Sequence, residues 1–368
     1  MSKRLVMCCD GTWNTPDQLS GGKSCRTNVT KVALAVAPHD DSGREQRTFY
    51  HLGVGTSRGQ RIRGGAFGFG LSCNVRDTYR FLVHNFEPGD ELFFFGFSRG
   101  AFTARSTAGF IRNCGILRRS EEHRIDEAYD LYRSRASTTH PRGTEATLFR
   151  RTYSHETRIH FIGVWDTVGA LGIPLIGLRS VDLLNRRWQF HDTSLSTTVD
   201  AAFQALAIDE KRGPFRPALW TQQPGASAEQ QLEQVWFTGV HCDVGGGYLE
   251  HQLSDIALLW MVERAKSCGL SFDSDAFTRM PGEQSEDDES VLSQTEVNPN
   301  PYVELHNSRK RFYRVIPPYV RRPGVTDPGH EYVASSAVKS YKDMPTYRPP
   351  GLTEYLKGRH QIMAVDCE

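Results

Sequence analysis

The sequence predicts an α/β fold, a doubly wound, mostly parallel sheet with helices on both faces. Three observations carry this expectation. Short apolar runs alternate with amphipathic stretches along most of the chain, the pattern of repeated strand–helix units. Each run ends in a chemically marked turn: Asp10-Gly11, Gly53-Val54-Gly55, Gly96-Phe97-Ser98-Arg99-Gly100, Asp166 and His241-Cys242-Asp243. The composition is that of a globular chain, 368 residues with 38% hydrophobic, 24% charged and 11% aromatic. These values exclude wholesale disorder, a coiled coil and a collagen-like fibre.

The elements follow in order. Residues 5–9 are an apolar run stopped by Asp10-Gly11, a buried strand and a sharp turn. Residues 27–37 read as a helix with Val29, Val32, Ala33 and Val36 on one face. Residues 47–54 form the second strand, residues 74–86 a helix, and Pro88-Gly89-Asp90 a turn into the strand at 91–95. The helix at 101–114 ends at Gly115, a natural C-cap. A fourth strand is expected at 158–164, a helix at 198–208, a fifth strand at 234–240 and a helix at 253–265. One domain spanning 1–368 accounts for the length, with insertions at about 118–157 and 170–195 (cap or lid) and an acidic loop at 273–300. The glycine-rich stretch 64–71 reads as a packed loop, or as an apolar lid beside the site.

Several classes are excluded or unsupported. Lys and Arg number 44 against 43 Asp and Glu, a net charge of +1, so no nucleic-acid partner is expected. The eight cysteines form no C-x-x-C pair, so no zinc ribbon is expected. No phosphate-binding glycine motif is present, and no cofactor or metal is expected. The apolar run after Lys3-Arg4 is too short for a signal-peptide core, and no stretch has the roughly 18 apolar residues of a span. A cytoplasmic location is expected, with signal-independent export left open. The basic run 309–322 reads as a solvated surface balancing the acidic loop, its alternative being contact with anionic lipid headgroups.

Gly96-Phe97-Ser98-Arg99-Gly100 matches G-x-S-x-G between a strand and a helix, the context of a nucleophile elbow in an α/β-hydrolase-like sheet. Gly96 and Gly100 remove the Cβ atoms that a strand turning sharply into a helix cannot accommodate. Ser98 is then a candidate nucleophile, and the Arg99 N–H a candidate oxyanion donor. A serine needs a base, and the base an orienting acid. His241 follows a strand and leads into Gly245-Gly246-Gly247, with His251 and His330 as alternatives. Asp166 at a strand end competes with Asp209, in Ala207-Ile208-Asp209-Glu210, for the acid. The loop after the first strand offers Gly11 or Thr12 as a second oxyanion donor, with Asp10 anchoring it.

Together these residues resemble a known family. It is the α/β-hydrolase family once classed as a domain of unknown function and now named after the type VI secretion phospholipase effector catalytic domain. The matching pieces are residues 9–14, 27–29, 53–56, 96–101, 165–168, 207–210 and 239–248. The resemblance implies an esterase or phospholipase acting on acyl esters of glycerolipids, and carries Ser98, Asp166 and His241 over as its triad. The expected partner is a small-molecule or lipid ester, with peripheral membrane or micelle contact. Two other functions are carried as alternatives. One is a metal-dependent phosphoesterase using Asp10, Asp166, His241 and Asp243. The other is an inactive hydrolase fold used as a binding module.

Overall fold

The computed structural model of the chain describes residues 2–11, 14, 19–20, 23–53, 66–169, 194–278, 295–358 and 360–365. Among them one sheet contains the strands β1 (Arg4–Cys9), β2 (Gln46–His51), β3 (Glu91–Phe97), β4 (Ile159–Trp165), β5 (Val199–Ala207), β6 (Gln231–Phe237), β7 (Glu331–Ala334) and β8 (Ile362–Met363). Their order is β8-β7-β6-β5-β4-β3-β1-β2, and every neighbouring pair is parallel. The helices are α1 (Asn28–Ala35), α2 (Ala66–Asn85), α3 (Arg99–Cys114), α4 (Ile125–Arg133), α5 (Thr144–Tyr153), α6 (His241–Gly245), α7 (Gln252–Ser267), α8 (Ser335–Asp343) and α9 (Pro350–Lys357). This is the doubly wound, α/β-hydrolase-like architecture expected from the sequence.

The central strands are buried on both faces, and their alternation feeds two cores. Leu5, Met7, Phe94 and Ile162 pack with Val75 and Tyr79 of α2 and Phe110 of α3. Val6, Cys8, Phe93, Phe95, Phe161 and Phe203 pack on the opposite face with Val29 of α1 and Trp260 of α7. Period-two side-chain direction is what divides each strand between the faces. Each such buried side chain contributes roughly 1.5–3 kcal/mol.

The connectivity sets the position of the site. From β1 the chain goes outward to the edge strand β2, then returns to lay β3 on the other side of β1. Strand order therefore reverses between β1 and β3, and ligand crevices open outside the carboxyl ends at such a switch point. Asp10 follows β1 there, and Ser98 follows β3.

Two expectations are corrected. Residues 198–208 are not a helix but contain β5, paired with β4 on one side and β6 on the other. Its Val-Asp-Ala-Ala-Phe-Gln-Ala-Leu-Ala sequence has no alternation because a central strand is covered on both faces. Two flanking ladders override alanine's helical preference. Asp209 therefore lies at a strand's carboxyl end. Residues 66–71, expected as loop or lid, are the first turns of α2, which begins before residue 74. Within the 118–157 insertion, α4 and α5 fold against α3, while 170–193 and 279–294 lie outside the described residues. No described helix is long and apolar enough to cross a membrane.

Candidate active site

Ser98 occupies the turn between β3 and α3 with φ 58° and ψ −116°, a conformation that non-glycine residues avoid. Its N–H donates to Trp165 O at 3.0 Å, locking the turn to the end of β4. The flanking glycines are required by contact. A Cβ on Gly96 would lie 2.7 Å from the backbone of Ala101, and one on Gly100 would collide with Cys9 O. The strain at Ser98 is held by this backbone packing. Arg99 opens α3, so its N–H projects from the helix N-terminus, where negative charge is favoured.

Asp166 follows β4 and also has a positive φ, 41°. Its N–H donates to Ala205 O at 2.7 Å, and Ala207 N–H donates to its Oδ1 at 3.1 Å. Asp166 Oδ2 lies 2.5 Å from His241 Nδ1. An ionised carboxylate only accepts, so Nδ1 carries the proton and Nε2 the lone pair. His241 begins α6, 4% exposed, with its ring 4.7 Å from Phe97 and 5.0 Å from Phe215. The imidazole thus packs on the residue that precedes Ser98. Among the described residues, Ser98 Oγ has no hydrogen-bond partner.

A buried cation completes the group. Arg321, 0% exposed by side chain, donates from Nη1 to Asp166 Oδ1 at 2.6 Å and from Nη2 to Oδ2 at 3.0 Å. Burial pushes the Asp166 carboxyl up, but the Arg321 charge and the hydrogen bonds from His241 and Arg321 outweigh it and hold the group well below the usual carboxylate range. Burial lowers the pKa of His241 below its ordinary value against the opposing pull of Asp166, so the imidazole is neutral near neutral pH. Sequence reasoning missed Arg321. It sits inside the basic run expected to be solvated, and no local spacing separates it from its neighbours. Phe215 was not singled out either. Glu210 Oε2 accepts the His241 backbone N–H at 3.4 Å and is itself paired with Arg212 at 2.8 Å.

The other candidates fall elsewhere. Asp209 does not touch His241; its Oδ2 accepts from Gly239 N–H at 2.8 Å and Tyr347 OH at 2.9 Å. Burial raises its pKa to about 6. Asp243 Oδ2 accepts from Val240 N–H at 2.9 Å, and its Oδ1 lies 2.6 Å from Nδ1 of a second imidazole, His306. His251 pairs with Asp255 at 2.5 Å and His330 with Asp327 at 3.1 Å.

Asp10 anchors its loop through five donors: Gly11 N–H (2.6 Å), Asn14 Nδ2 (3.3 Å), Thr27 Oγ1 (2.6 Å), Thr30 Oγ1 (3.0 Å) and Tyr50 OH (2.6 Å). The Gly11 N–H, expected as an oxyanion donor, is engaged by Asp10 instead. Thr12 lies outside the described residues. Asp10, Asp166, His241 and Asp243 do not converge on one point. Among the described residues, no group of three or more His, Cys, Asp or Glu side chains is arranged to hold a metal ion. A cavity of about 490 Å³ lies along α3, lined by Arg105, Arg112, Tyr132 and Trp220 among others. Ser98, Asp166 and His241 are not among its lining residues.

A parallel sheet with a strained serine at its switch point and a buried Asp–His pair at the carboxyl ends of β4 and β6 defines an α/β-hydrolase-like protein. Within that class the chain belongs to the family described as "T6SS, Phospholipase effector Tle1-like, catalytic domain", whose model matches residues 3–264. It is 31% identical over 244 residues to the uncharacterized protein YEL023C of Saccharomyces cerevisiae. That match covers 60% of this chain and 33% of the relative, so the chain spans about a third of the relative's length. Among solved structures, an uncharacterized protein from Pseudomonas aeruginosa superposes with a TM-score of 0.44 at 20% identity, covering 74% of this chain and 46% of the other. The Tle1 effector bound to the VgrG spike from the type 6 secretion system superposes with a TM-score of 0.39 at 17% identity, covering 67% and 51%.

Proposed function

We propose that the protein is a serine hydrolase of carboxylic acyl esters, with lipid or phospholipid esters as the substrate class. The observation that carries this reading is the strained Ser98 at the end of β3, with the His241–Asp166 pair packed against its neighbour Phe97. His241 Nε2 takes the hydroxyl proton as Ser98 Oγ adds to the ester carbonyl. Asp166 holds the tautomer that exposes Nε2. The Arg99 N–H at the start of α3 receives the developing oxyanion. The imidazolium returns its proton to the departing alcohol, leaving an acyl group on Ser98. Water, deprotonated by the same imidazole, adds to the acyl carbonyl, and the imidazolium returns that proton to Ser98 Oγ as the acid leaves.

Family membership supports the acyl-ester class, and the engaged oxygens of Asp10 and Asp166 give the metal-dependent alternative no support. The test is labelling by a fluorophosphonate probe, together with hydrolysis of a panel of soluble esters and phospholipids. Wild type is expected to label and turn over, and Ser98→Ala to do neither. Undiminished labelling of Ser98→Ala would remove Ser98 from its role.

A further inference from the structure

Arg321 lies against one carboxylate with its side chain fully buried, and four acceptors fix its guanidinium. Besides the two oxygens of Asp166, Nη1 donates to Ala207 O at 2.8 Å and Nη2 to Phe215 O at 2.6 Å. Those carbonyls belong to the end of β5 and to the turn beyond it, so the fork is held by backbone and not by a flexible partner. Arg321 also lies outside residues 3–264, the part of the chain that carries the family match.

A counter-ion for a buried aspartate would by itself be a structural role. Here the same carboxylate also binds the imidazole, and Oδ2 is shared between Arg321 Nη2 and His241 Nδ1. The three groups form one buried charge system. With neutral imidazole, the guanidinium and carboxylate cancel. With imidazolium, the system carries a net positive charge inside the protein, which burial disfavours. Without the guanidinium the preference reverses, because the carboxylate alone would draw the proton onto the ring.

We propose that Arg321 is a positioning residue that keeps His241 neutral, and so able to accept a proton, by neutralising the carboxylate that orients it. The catalytic use of that neutral ring rests on the reading of His241 as the base. The other groups facing the ring fit this account. Glu210 and Arg212 are paired with each other at 2.8 Å and largely cancel, while Phe97 and Phe215 are uncharged. On the ring's own helix, Cys242 carries a thiol that burial keeps protonated, and Asp243 is paired with His306. The Asp166–Arg321 balance is what remains to set the proton affinity. Burial lowers the pKa of His241 against the pull of Asp166, the direction this arrangement favours.

The test reads the imidazole directly. His241 is titrated by NMR in the Ser98→Ala protein, with and without Arg321→Gln, and the acid limb of kcat/KM is measured in the matching proteins that retain Ser98. Arg321→Gln is expected to raise the midpoint by about one pH unit or more, a tenfold gain in proton affinity, and to move the acid limb upward equally. Arg321→Lys, which keeps the charge but not the fork, is expected to leave the midpoint near the parent's while lowering kcat. A folded Arg321→Gln protein with an unmoved midpoint overturns the proposal. Should that variant not fold, Asp166→Asn is compared with Asp166→Asn/Arg321→Gln, which leaves no buried charge unpaired. The double variant is expected to titrate higher, and equal midpoints overturn the proposal. The titration requires no turnover. Absent labelling at Ser98 with a moved midpoint would reject the hydrolase reading while leaving the charge system established.

Discussion

Two carboxylates at neighbouring strand ends, Asp166 and Asp209, are driven in opposite directions by their surroundings. Both are pushed up by burial, but Asp166 has a guanidinium and an imidazole against it, whereas the Gly239 N–H, the Tyr347 hydroxyl and the more weakly acting Lys211 charge do not offset the desolvation of Asp209. Asp209 is therefore raised from 3.8 to about 6. The consequence for stability has a definite sign. As pH rises between those two values the unfolded chain releases this proton first, so the native state loses stability, and above about 6 the loss is complete. Asparagine accepts the same two hydrogen bonds and never ionises. Asp209→Asn is expected to melt with wild type at about pH 4 and above it at about pH 8; a thermal scan at both values checks this, and a lower melting temperature at the higher pH contradicts it. Ser98 was legible in the sequence because its environment is local, two glycines and a strand–helix junction within five residues. Arg321 was not, because the contact that defines it spans 155 residues, and nothing near it in sequence distinguishes an inward arginine from its outward neighbours.

At the level of elements, the β3–α3 junction and β5 show opposite relations between local sequence and structure. The junction specifies itself: Gly100 allows α3 to start against the end of β1, where any Cβ would meet Cys9 O. Backbone cannot move aside as a flexible side chain can. Gly100→Ala is therefore expected to destabilise the fold by about 3 kcal/mol or more. Denaturant unfolding measures it, and a change under about 0.5 kcal/mol, typical of a tolerated surface substitution, would show that the junction relaxes. Strand β5 is specified from outside. Val-Asp-Ala-Ala-Phe-Gln-Ala-Leu-Ala carries no period that separates strand from helix, and the decision comes from ladders on both edges. The edge strands β7 and β8 are four and two residues long, too short to present any period. The other central strands and their marked ends could thus be read, while β5 and the far edge could not.

Across the whole molecule, that far edge is tied to the site through one buried carboxylate. Glu331, in β7, is 0% exposed and accepts from Trp236 Nε1 at 2.9 Å and from the backbone N–H groups of Gly324, Thr326 and Asp327, each at 2.8 Å. The indole donor belongs to β6, and the three N–H groups belong to the turn that follows Arg321. Glu331 therefore fixes the segment that carries the guanidinium to Asp166, and through it the orientation of His241. Glu331→Gln keeps the shape but turns an amide NH₂ toward N–H donors, leaving buried donors unsatisfied at about 1–3 kcal/mol. The expected outcome is a lowered melting temperature and, under conditions where the variant is still folded, reduced ester hydrolysis with a displaced acid limb. Glu354→Gln supplies the comparison. That residue pairs with Arg322 at 3.8 Å, with both side chains more than 60% exposed, and such a pair contributes about 0–1 kcal/mol. Both properties should stay at wild-type values in Glu354→Gln. If Glu331→Gln loses stability while its acid limb stays in place, the edge of the sheet and the Asp166–His241 pair are mechanically independent.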